Sequence, residues 1–498
     1  MTTAAVIGVD IGTSSSKGVL VDFDGRILAT VTRAHSVDRP RPGWVEMDGE
    51  IWWQEFTQLT RELLGTSGVE VVAVGVSGMG PCVLVTDENG RPLRSAILYG
   101  IDTRATAQIE RLTDELGGAD AIRARSGSAL STQAVGPKLA WIAENEPGIF
   151  ARVRRLFMPS SWLAWKLTGN YRLDQHSASQ CTPLYESATE AWYEPWASAI
   201  APDLELPLLV WPGDVVGTVT VEAASETGLA VGIPVIAGTI DAWSEAVSVG
   251  AQKVGDLMLM YGTTMFLVNT VAEPLTSPTL WGTVGAFPGT RNLAGGMATS
   301  GAITEWLREL FGSPDYPELI ALAEASGPGS HGLLMLPYFA GERTPIPDPD
   351  SRGIIAGLTV SHTRGDLYRA ALEATALGVR HNIEAMTATG AAIERIVAVG
   401  GGAQGSLWTQ IVSDVTGLPQ VIPTQTIGAS FGAAFLAACS ITPVSIEDWN
   451  PPKEIRQPRT EMAADYEELY ELYRDVYPAT MEISHALAAR QLRFSGHG

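Results

Sequence analysis

The chain has 498 residues, 45% hydrophobic and 18% charged, which is typical of a globular protein and excludes extensive disorder. This length is more than one hydrophobic core usually holds, so we expect two or three domains. The formal net charge of −22 excludes nucleic acid and anionic membranes as partners, although backbone N–H groups and a metal ion can still hold a nucleotide locally.

The chain opens with a predicted β-meander. Apolar and alternating runs predict strands at Ala5–Asp10, Ser16–Phe23 and Ile27–His35. Asp48 is typical of a helix N-cap, and the amphipathic run behind it predicts a helix that ends at Leu64.

The next segments predict a buried strand and a hairpin. Val69–Ser77 is continuously apolar, as in a central strand. Cys82–Thr86 and Leu93–Tyr99 flank a turn-rich tetrapeptide, and Asp102–Leu116 has helical periodicity. Helices are also predicted near Pro137–Asn145 and Ser160–Thr168, and an irregular connection over Trp192–Pro212.

The second half repeats the opening pattern. A strand at Ile233–Gly238 and a helix at Asp241–Val249 precede strands Leu257–Tyr261 and Met265–Thr270, which flank Gly262-Thr263-Thr264. This echo of the N-terminal hairpin indicates a weak internal duplication. We therefore predict two α/β lobes, residues 1–250 and 251–498, the second with helices near Arg364–Ala388, Gly405–Thr416 and 463–490 and a strand at Arg395–Val399.

The three cysteines are Cys82, Cys181 and Cys439. Their odd number and wide spacing indicate neither a disulfide framework nor a metal knuckle, so we expect a reducing cytoplasm. The N-terminal segment lacks the basic region of a signal peptide, and no apolar run is long enough to span a membrane.

The turn after the first strand combines a carboxylate, small hydroxyl residues and a lysine. Asp10 ends the strand, Gly12-Thr13-Ser14 forms the turn and Lys17 follows. Glycine lets the backbone approach a ligand, successive N–H groups can cradle an anion, and Asp10 could hold Mg²⁺. The structural alternative is a plain hairpin turn in which Asp10 caps backbone donors.

Two glycine-rich turns in the second half fit the same interpretation. Gly262-Thr263-Thr264 would clamp a polyphosphate together with the first turn. Gly400–Gln404 joins a strand to a helix with little side-chain bulk, which suits a flat ligand such as adenosine. Both turns also have a purely structural reading, and neither has the spacing of a Walker loop or of a dinucleotide fingerprint.

Asp241 follows a buried strand at a predicted helix start. The commonest role there is an N-cap. The alternative is a general base aimed at a substrate hydroxyl, which phosphoryl transfer needs in addition to positioning and charge neutralisation.

The segment Tyr99–Arg104 has groups that could bind a sugar. Asp102 and Arg104 could hydrogen-bond to hydroxyls, and Tyr99 could form a stacking wall. A surface helix capped by Asp102 is the structural alternative.

Taken in order, these segments resemble the FGGY carbohydrate kinases, and within that family the xylulokinases most closely. The resemblance covers nearly the whole chain. Its segments are Asp10–Lys17, Pro42–Asp48, Ala96–Arg104, Gly238–Asp241, Tyr261–Thr264, Ser300–Arg308, Pro337–Leu358 and Gly400–Ala434.

The resemblance implies two ribonuclease H-like lobes, of the actin and sugar-kinase type, with ATP and Mg²⁺ in a cleft between them. Asp241 matches the family's catalytic base and Asp10 its metal-associated carboxylate. The phosphate-loop matches are Gly12, Thr13, Ser14, Lys17, Gly262, Thr263 and Thr264, and the nucleoside-site matches are Gly301, Gly401, Gly402 and Ala403. The sugar-site matches are Met79, Gly80, Tyr99, Asp102 and Arg104. Asp241 would also face the reacting hydroxyl of the sugar, and it would be the second carboxylate, beside Asp10, that contacts the metal. A homodimer is an expectation that rests on the family alone.

The expected activity is phosphorylation of D-xylulose to D-xylulose 5-phosphate, but two departures lie in the sugar pocket. Pro81 stands at a position where the family that this chain resembles has a histidine that touches the sugar. The segment Tyr99–Arg104 has one more residue before its aspartate than the corresponding motif of that family. Ribulose, gluconate, a tetrulose or glycerol therefore remain alternative substrates. Outside this activity, an actin-like or chaperone-like ATPase and an inactive sugar sensor are the rival interpretations.

Overall fold

The computed structural model describes residues 2–495. The strands, in chain order, are β1 (Thr3–Ile11), β2 (Ser15–Asp22), β3 (Ile27–Ala34), β4 (Glu46–Met47), β5 (Val69–Gly78), β6 (Leu84–Thr86), β7 (Ala96–Ile97), β8 (Arg155–Phe157), β9 (Arg172–Asp174), β10 (Tyr185–Glu186), β11 (Ala191–Trp192), β12 (Leu208–Val210), β13 (Val215–Thr218), β14 (Pro234–Ile236), β15 (Thr239–Ile240), β16 (Asp256–Tyr261), β17 (Met265–Val271), β18 (Trp281–Val284), β19 (Arg291–Met297), β20 (Leu334–Leu336), β21 (Ile354–Ala356), β22 (Arg395–Val399), β23 (Gln420–Pro423) and β24 (Pro452–Arg456).

The helices alternate with these strands. In chain order they are α1 (Gly49–Leu64), α2 (Thr106–Glu115), α3 (Ala119–Ser126), α4 (Val135–Asn145), α5 (Pro147–Phe150), α6 (Pro159–Thr168), α7 (Gln175–Ser179), α8 (Glu194–Ile200), α9 (Val221–Thr227), α10 (Asp241–Ser248), α11 (Gly301–Leu310), α12 (Tyr316–Ser326), α13 (Arg364–Thr387), α14 (Ser406–Thr416), α15 (Ala429–Cys439), α16 (Ile446–Trp449) and α17 (Ala463–Ser495). Short 3₁₀ turns lie at Pro328–Gly332, Gly401–Gln404 and Thr460–Met462. Of the helices found within residues 2–495, none combines the length and apolarity needed to cross a bilayer.

Contacts divide the chain into two compact units. The first extends to Gln252 and also includes Thr270–Asn292 and Ile427–Pro451; the second contains Lys253–Asn269, Leu293–Thr426 and the chain from Pro452 onwards. Sequence analysis placed one division near Gly250. It could not find the two later segments of the first unit, because membership depends on packing between residues far apart in the chain.

The first unit is built on a mixed sheet with strand order β13-β14-β5-β1-β2-β3, and β15 also pairs with β5. β1 pairs antiparallel with β2 and parallel with β5, so Asp10 lies between Lys17 and Ser77. This register brings the end of β1, the turn after it and the end of β5 to one edge of the sheet.

Helices cover both faces of this first sheet. Side chains of β1 alternate between the faces, as expected for a strand buried on both sides. Ile7 packs in the core formed with α1 and α6, whereas Val6 packs against α15. Gly8 lets α15 approach, since a Cβ there would lie 2.0 Å from the carbonyl oxygen of Ser430.

The second unit repeats this arrangement. Its main sheet has the order β19-β17-β16-β22-β23-β24, and β16 pairs antiparallel with β17 and parallel with β22. β16, β17 and β22 thus correspond to β1, β2 and β5. The predicted α/β class and the duplication of the opening hairpin are both confirmed.

Two local predictions were wrong, and one was confirmed in part. The predicted hairpin forms two antiparallel bridges, Val83 with Ile97 and Thr86 with Pro92, but its strands have their main partners elsewhere, since β6 pairs with β8 and β7 with β4. α2 begins at Thr106 rather than Asp102, whose carboxylate is used elsewhere. The segment predicted to be irregular contains α8 and β12. β6, β7 and β12 pair with strands far away in the chain, and Asp102 bonds to Val45, so local periodicity did not identify these contacts.

Candidate active site

Three carboxylates gather at the edge of the first sheet where β1 and β5 end. Asp10 accepts a hydrogen bond of 2.8 Å from Ser77 Oγ. Asp241 is the first residue of α10, and its Oδ1 accepts a hydrogen bond of 2.7 Å from the Ala242 N–H. Glu245 lies one turn further along α10 and is close enough to repel both aspartates.

Electrostatics at this cluster favour a cation. Burial, followed by repulsion from Asp241, raises the pKa of Asp10 to about 8. Burial raises the pKa of Asp241 to about 6, and burial with repulsion from Asp241 raises that of Glu245 to about 7. Lys17 offsets this only in part, and its Nζ also donates to the Ile427 carbonyl at 3.0 Å. A positive ion at this cluster would therefore relieve the repulsion between its carboxylates.

The turn between β1 and β2, Gly12–Ser14, is a ready anion site. Gly12 N–H donates to the Ser15 carbonyl at 3.0 Å, which closes the turn. Within residues 2–495, no acceptor is found for the backbone N–H groups of Thr13 and Ser14. Adjacent free N–H groups in a turn bind anions. Thr13 Oγ1 also lies 2.7 Å from the Tyr99 hydroxyl, which connects this turn to the predicted sugar segment.

The matching turn of the second unit, Gly262–Thr264, is held by α11. The N–H groups of Ser300 and Ala302 both donate to the Thr263 carbonyl, at 3.0 and 3.1 Å. Gly301 N–H donates to the Gly262 carbonyl at 3.0 Å. Among the described residues no acceptor is found for the N–H groups of Thr263 and Thr264, so this turn also offers free donors.

The predicted nucleoside segment lies beside this second turn. Gly400 has φ +87°, and a Cβ there would lie 2.6 Å from the Tyr261 carbonyl oxygen. A Cβ on Gly402 would meet the side chains of Trp408 and Tyr261, whereas a Cβ on Gly401 would meet nothing within 4 Å. Ala403 is buried. Gly401 thus presents open backbone near this turn, and Gly301 contacts the turn itself through Gly262.

In the predicted sugar segment, Asp102 and Arg104 are buried and bonded to each other. Arg104 Nη2 donates to Asp102 Oδ2 at 2.7 Å, and both side chains are 0% exposed. Asp102 Oδ2 also accepts from Val45 N–H at 2.6 Å, and Arg104 donates to Glu46 at 2.5 Å and covers the Trp44 ring. Their polar atoms therefore organise neighbouring segments, and direct contact with a sugar stays a prediction.

A second set of contacts holds the segment around Gly100. Gly100 N–H donates to Gln133 Oε1, and the Thr132 hydroxyl donates to the Gly100 carbonyl, both at 3.0 Å. The buried Lys138 donates to the Thr132 carbonyl at 2.7 Å, and burial lowers its pKa to about 8. These contacts fix the backbone on either side of Gly100.

Met79, Gly80 and Pro81 lie beyond the end of β5. Met79 is buried, and its N–H donates to the Ile11 carbonyl at 2.8 Å, directly before the first turn. A Cβ on Gly80 would lie 2.7 Å from the Ile240 side chain, next to Asp241. The structure thus brings Asp10, Gly12–Ser14, Lys17, Met79, Gly80, Tyr99 and Asp241 into one region of the first unit.

The carboxylate oxygens of Asp10 and Asp241 fit a magnesium ion. Mg²⁺ in enzymes takes one or two carboxylates and completes its shell with water and phosphate oxygens. Their mutual repulsion and raised pKa values indicate a site that a divalent cation would stabilise.

Sequence analysis missed two groups of residues. Glu245 could have been found from its spacing, because residues four apart on a helix share a face with Asp241. His35 and Glu55, which lie behind the Gly12–Ser14 turn, gave no signal, since His35 follows β3 and Glu55 lies in α1, and these segments meet only in the fold.

Comparison with known proteins extends over almost the entire chain. A xylulose kinase from Lactococcus lactis is 31% identical, over 97% of this chain and 98% of that protein. A glycerol kinase from Rhizorhabdus wittichii is 34% identical, over 91% of each chain. The crystal structure of a xylulose kinase from Rhodospirillum rubrum superimposes with a TM-score of 0.91 at 30% identity, covering 97% of this chain and 100% of that one.

Family models match both halves of the chain. The N-terminal domain of the FGGY family of carbohydrate kinases matches residues 5–248, and its C-terminal domain matches residues 257–441. Both matches include a turn with free N–H donors, and the first includes Asp10 and Asp241. The chain belongs to the FGGY family of carbohydrate kinases.

Proposed function

We propose that this protein transfers the γ-phosphoryl group of ATP to a hydroxyl of a small ketose, with D-xylulose as the preferred acceptor and D-xylulose 5-phosphate as the product. Xylulose kinases from Lactococcus lactis and Escherichia coli, 31% and 29% identical over nearly the full chain, support this acceptor. The family supports the sugar phosphotransferase activity itself.

The observation that carries the proposal is the position of Asp241. Its partly buried carboxylate begins α10 beside Asp10, in the region that contains the Gly12–Ser14 turn and Tyr99. We infer that Asp241 accepts the proton of the sugar hydroxyl. The hydroxyl oxygen then bonds to the γ-phosphorus, and the bond from that phosphorus to the β–γ bridging oxygen breaks, which releases ADP.

The backbone would carry most of the phosphate binding. We propose that the free N–H groups of Gly12–Ser14 and Gly262–Thr264 receive phosphate oxygens, with Lys17 adding positive charge. Gly301 and Gly401–Ala403 would receive the nucleoside. Asp10 and Asp241 would hold Mg²⁺, which when bound neutralises phosphate charge. That one triphosphate contacts both turns stays a prediction.

The sugar would lie against Met79, Gly80 and Tyr99. Asp102 and Arg104 would shape this pocket, since their polar atoms already bond to each other and to neighbouring groups. In this proposal the first unit binds the sugar and the second binds the nucleoside.

Glycerol or another polyol is the second candidate acceptor. A glycerol kinase is 34% identical to this chain. In addition, the buried Pro81 offers no side-chain hydrogen bond at the position where the xylulokinase motif has a histidine. A pocket that lacks one hydrogen-bonding group can change its preferred substrate.

A coupled assay of ADP formation over a panel of ketoses and polyols tests the proposal. We expect D-xylulose to give the highest kcat/KM, and Asp241→Asn to lower kcat by about 10²- to 10⁴-fold while nucleotide binding is kept. Near-normal turnover of Asp241→Asn would disprove the role of this residue. ATP hydrolysis that no sugar or polyol stimulates would favour an ATPase instead.

A further inference from the structure

A buried hydrogen-bonded chain lies behind the Gly12–Ser14 turn and consists of His35, Glu55 and Ser16. His35 Nε2 lies 3.0 Å from the Gly12 carbonyl oxygen, and His35 Nδ1 lies 2.9 Å from Glu55 Oε2. Ser16 Oγ donates to the same Oε2 at 2.5 Å. The side chains of His35 and Glu55 are only 7% and 11% exposed, so water competes little for these bonds.

The chemistry of the two acceptors fixes the hydrogens of the ring. A carbonyl oxygen can only accept, so Nε2 must carry a proton and donate it to Gly12. One proton is shared between Nδ1 and Oε2 on the other side of the ring. Glu55 therefore orients the imidazole and keeps Nε2 as a donor, as carboxylates behind histidines commonly do.

His35 holds the turn at two points. Besides the ring contact, its backbone N–H donates to the Ser14 carbonyl at 3.0 Å. The carbonyls of Gly12 and Ser14 are thus both bonded to His35, while the N–H groups of Thr13 and Ser14 have no acceptor in the part of the chain that the structure describes. Carbonyl oxygens that point away from a site do not repel an anion bound there. By binding these two carbonyls, His35 helps to leave the N–H donors of the turn available for an anion.

We propose that His35, oriented by Glu55 and Ser16, is a positioning residue that sets the Gly12–Ser14 turn for the phosphates of the nucleotide. The inference rests on the proposed function, in which this turn binds phosphate. His35 acts through the backbone of the turn and needs no contact with ATP.

The test compares His35→Phe with the native protein by titration with a non-hydrolysable ATP analogue and Mg²⁺. Phenylalanine keeps a ring of similar size but cannot donate to Gly12. We expect the Kd for the analogue and the KM for ATP to rise about tenfold, as for the loss of a buried hydrogen bond to a polar partner. The KM for the sugar and the Kd for adenosine, which has no phosphates, should change less than twofold.

Two further variants separate positioning from simple stability. Glu55→Gln leaves a group that can donate to Nδ1, so Nε2 still donates to Gly12 and the analogue should bind within about threefold of the native value. His35→Gln supplies an amide N–H for the Gly12 carbonyl and should recover part of the lost affinity. Both should melt close to the native protein.

Three outcomes overturn the inference. Native analogue binding by His35→Phe would show that the ring does not set the turn. Equal losses for adenosine and the analogue would show a general structural effect. If the native protein binds no ATP analogue, both this inference and the proposed kinase activity fail, whereas normal native binding with an unaffected His35→Phe removes only the inference.

Discussion

The two turns with free N–H donors share a backbone design but differ in what surrounds them. Both follow a strand paired antiparallel on one side and parallel on the other. In the first unit, Asp10 precedes the turn and Lys17 follows it; in the second, the corresponding positions hold Met260 and Leu267. Charge is thus concentrated at one turn only.

The support of the turns differs as well. In the first turn, the Gly12 carbonyl is bonded to the His35 side chain and the Ser14 carbonyl to the His35 backbone N–H. The carbonyls of the second are bonded to the N–H groups at the start of α11. The comparison shows that either a side chain or the N-terminal end of a helix can bind the carbonyls of such a turn and so leave its N–H groups free. Substitution of a supporting side chain such as His35 should therefore disturb the first turn, whereas substitution of a glycine such as Gly301 should disturb the second.

The largest contrast should come from the residues two positions before each turn glycine. Asp10→Asn keeps an oxygen for Ser77 but removes a carboxylate beside the proposed phosphate site. We expect kcat to fall by about 10²- to 10³-fold, the usual cost of losing one electrostatic contact to a developing charge. Steady-state kinetics at saturating Mg²⁺ would measure it.

Met260→Leu is the matched control for this change. It is a volume-conserving apolar exchange at a partly buried site and should leave kcat within twofold. Equal losses in the two variants would contradict the assignment of chemistry to the first unit.

Gly301→Ala tests the helix end that holds the second turn. A Cβ at this position would lie 2.6 Å from the Gly262 carbonyl oxygen, so the turn or α11 must shift. We expect about 1–3 kcal/mol of destabilisation and roughly tenfold weaker binding of an ATP analogue, by thermal melting and titration. An unchanged melting temperature with native affinity would show that this contact does not set the turn.

Gly401→Ala asks whether a nucleoside lies on the open backbone beside the second turn. Because a Cβ there meets nothing within 4 Å, the protein without ligand should keep its stability to within about 0.5 kcal/mol. A bound nucleoside would collide with the added methyl group, and we expect adenosine and ATP-analogue affinities to fall several-fold. Native affinity for both ligands would place the nucleoside elsewhere.

The smallest effect is expected for Tyr99→Phe, which removes the hydroxyl 2.7 Å from Thr13 Oγ1. Losing one partly buried hydrogen bond corresponds to a change of about two- to tenfold. If this bond couples the sugar pocket to the first turn, the KM values for sugar and ATP should rise together in a two-substrate analysis. A rise for the sugar alone would limit Tyr99 to the pocket wall.

Much of the fold was predictable because its signals are local. The strands around Gly12-Thr13-Ser14 and Gly262-Thr263-Thr264 follow from apolar runs broken by turn residues, and the N-cap at Asp48 was predicted and is present. The hairpin predicted between Cys82 and Tyr99 forms only two antiparallel bridges, because β6 and β7 pair mainly with strands far along the chain. Pairing between distant strands leaves no trace in local periodicity.

For the site, the sequence by itself determined the residue types and their order: an aspartate and a glycine-hydroxyl turn after one strand, a second such turn in the repeated hairpin, and an aspartate at a helix start. Only the tertiary structure decided that Asp102 and Arg104 bond to each other, that Glu245 joins the two aspartates and that His35 holds the first turn. The physical reason is that a motif fixes which atoms are present, whereas burial and hydrogen-bond partners depend on segments that meet only when the chain folds.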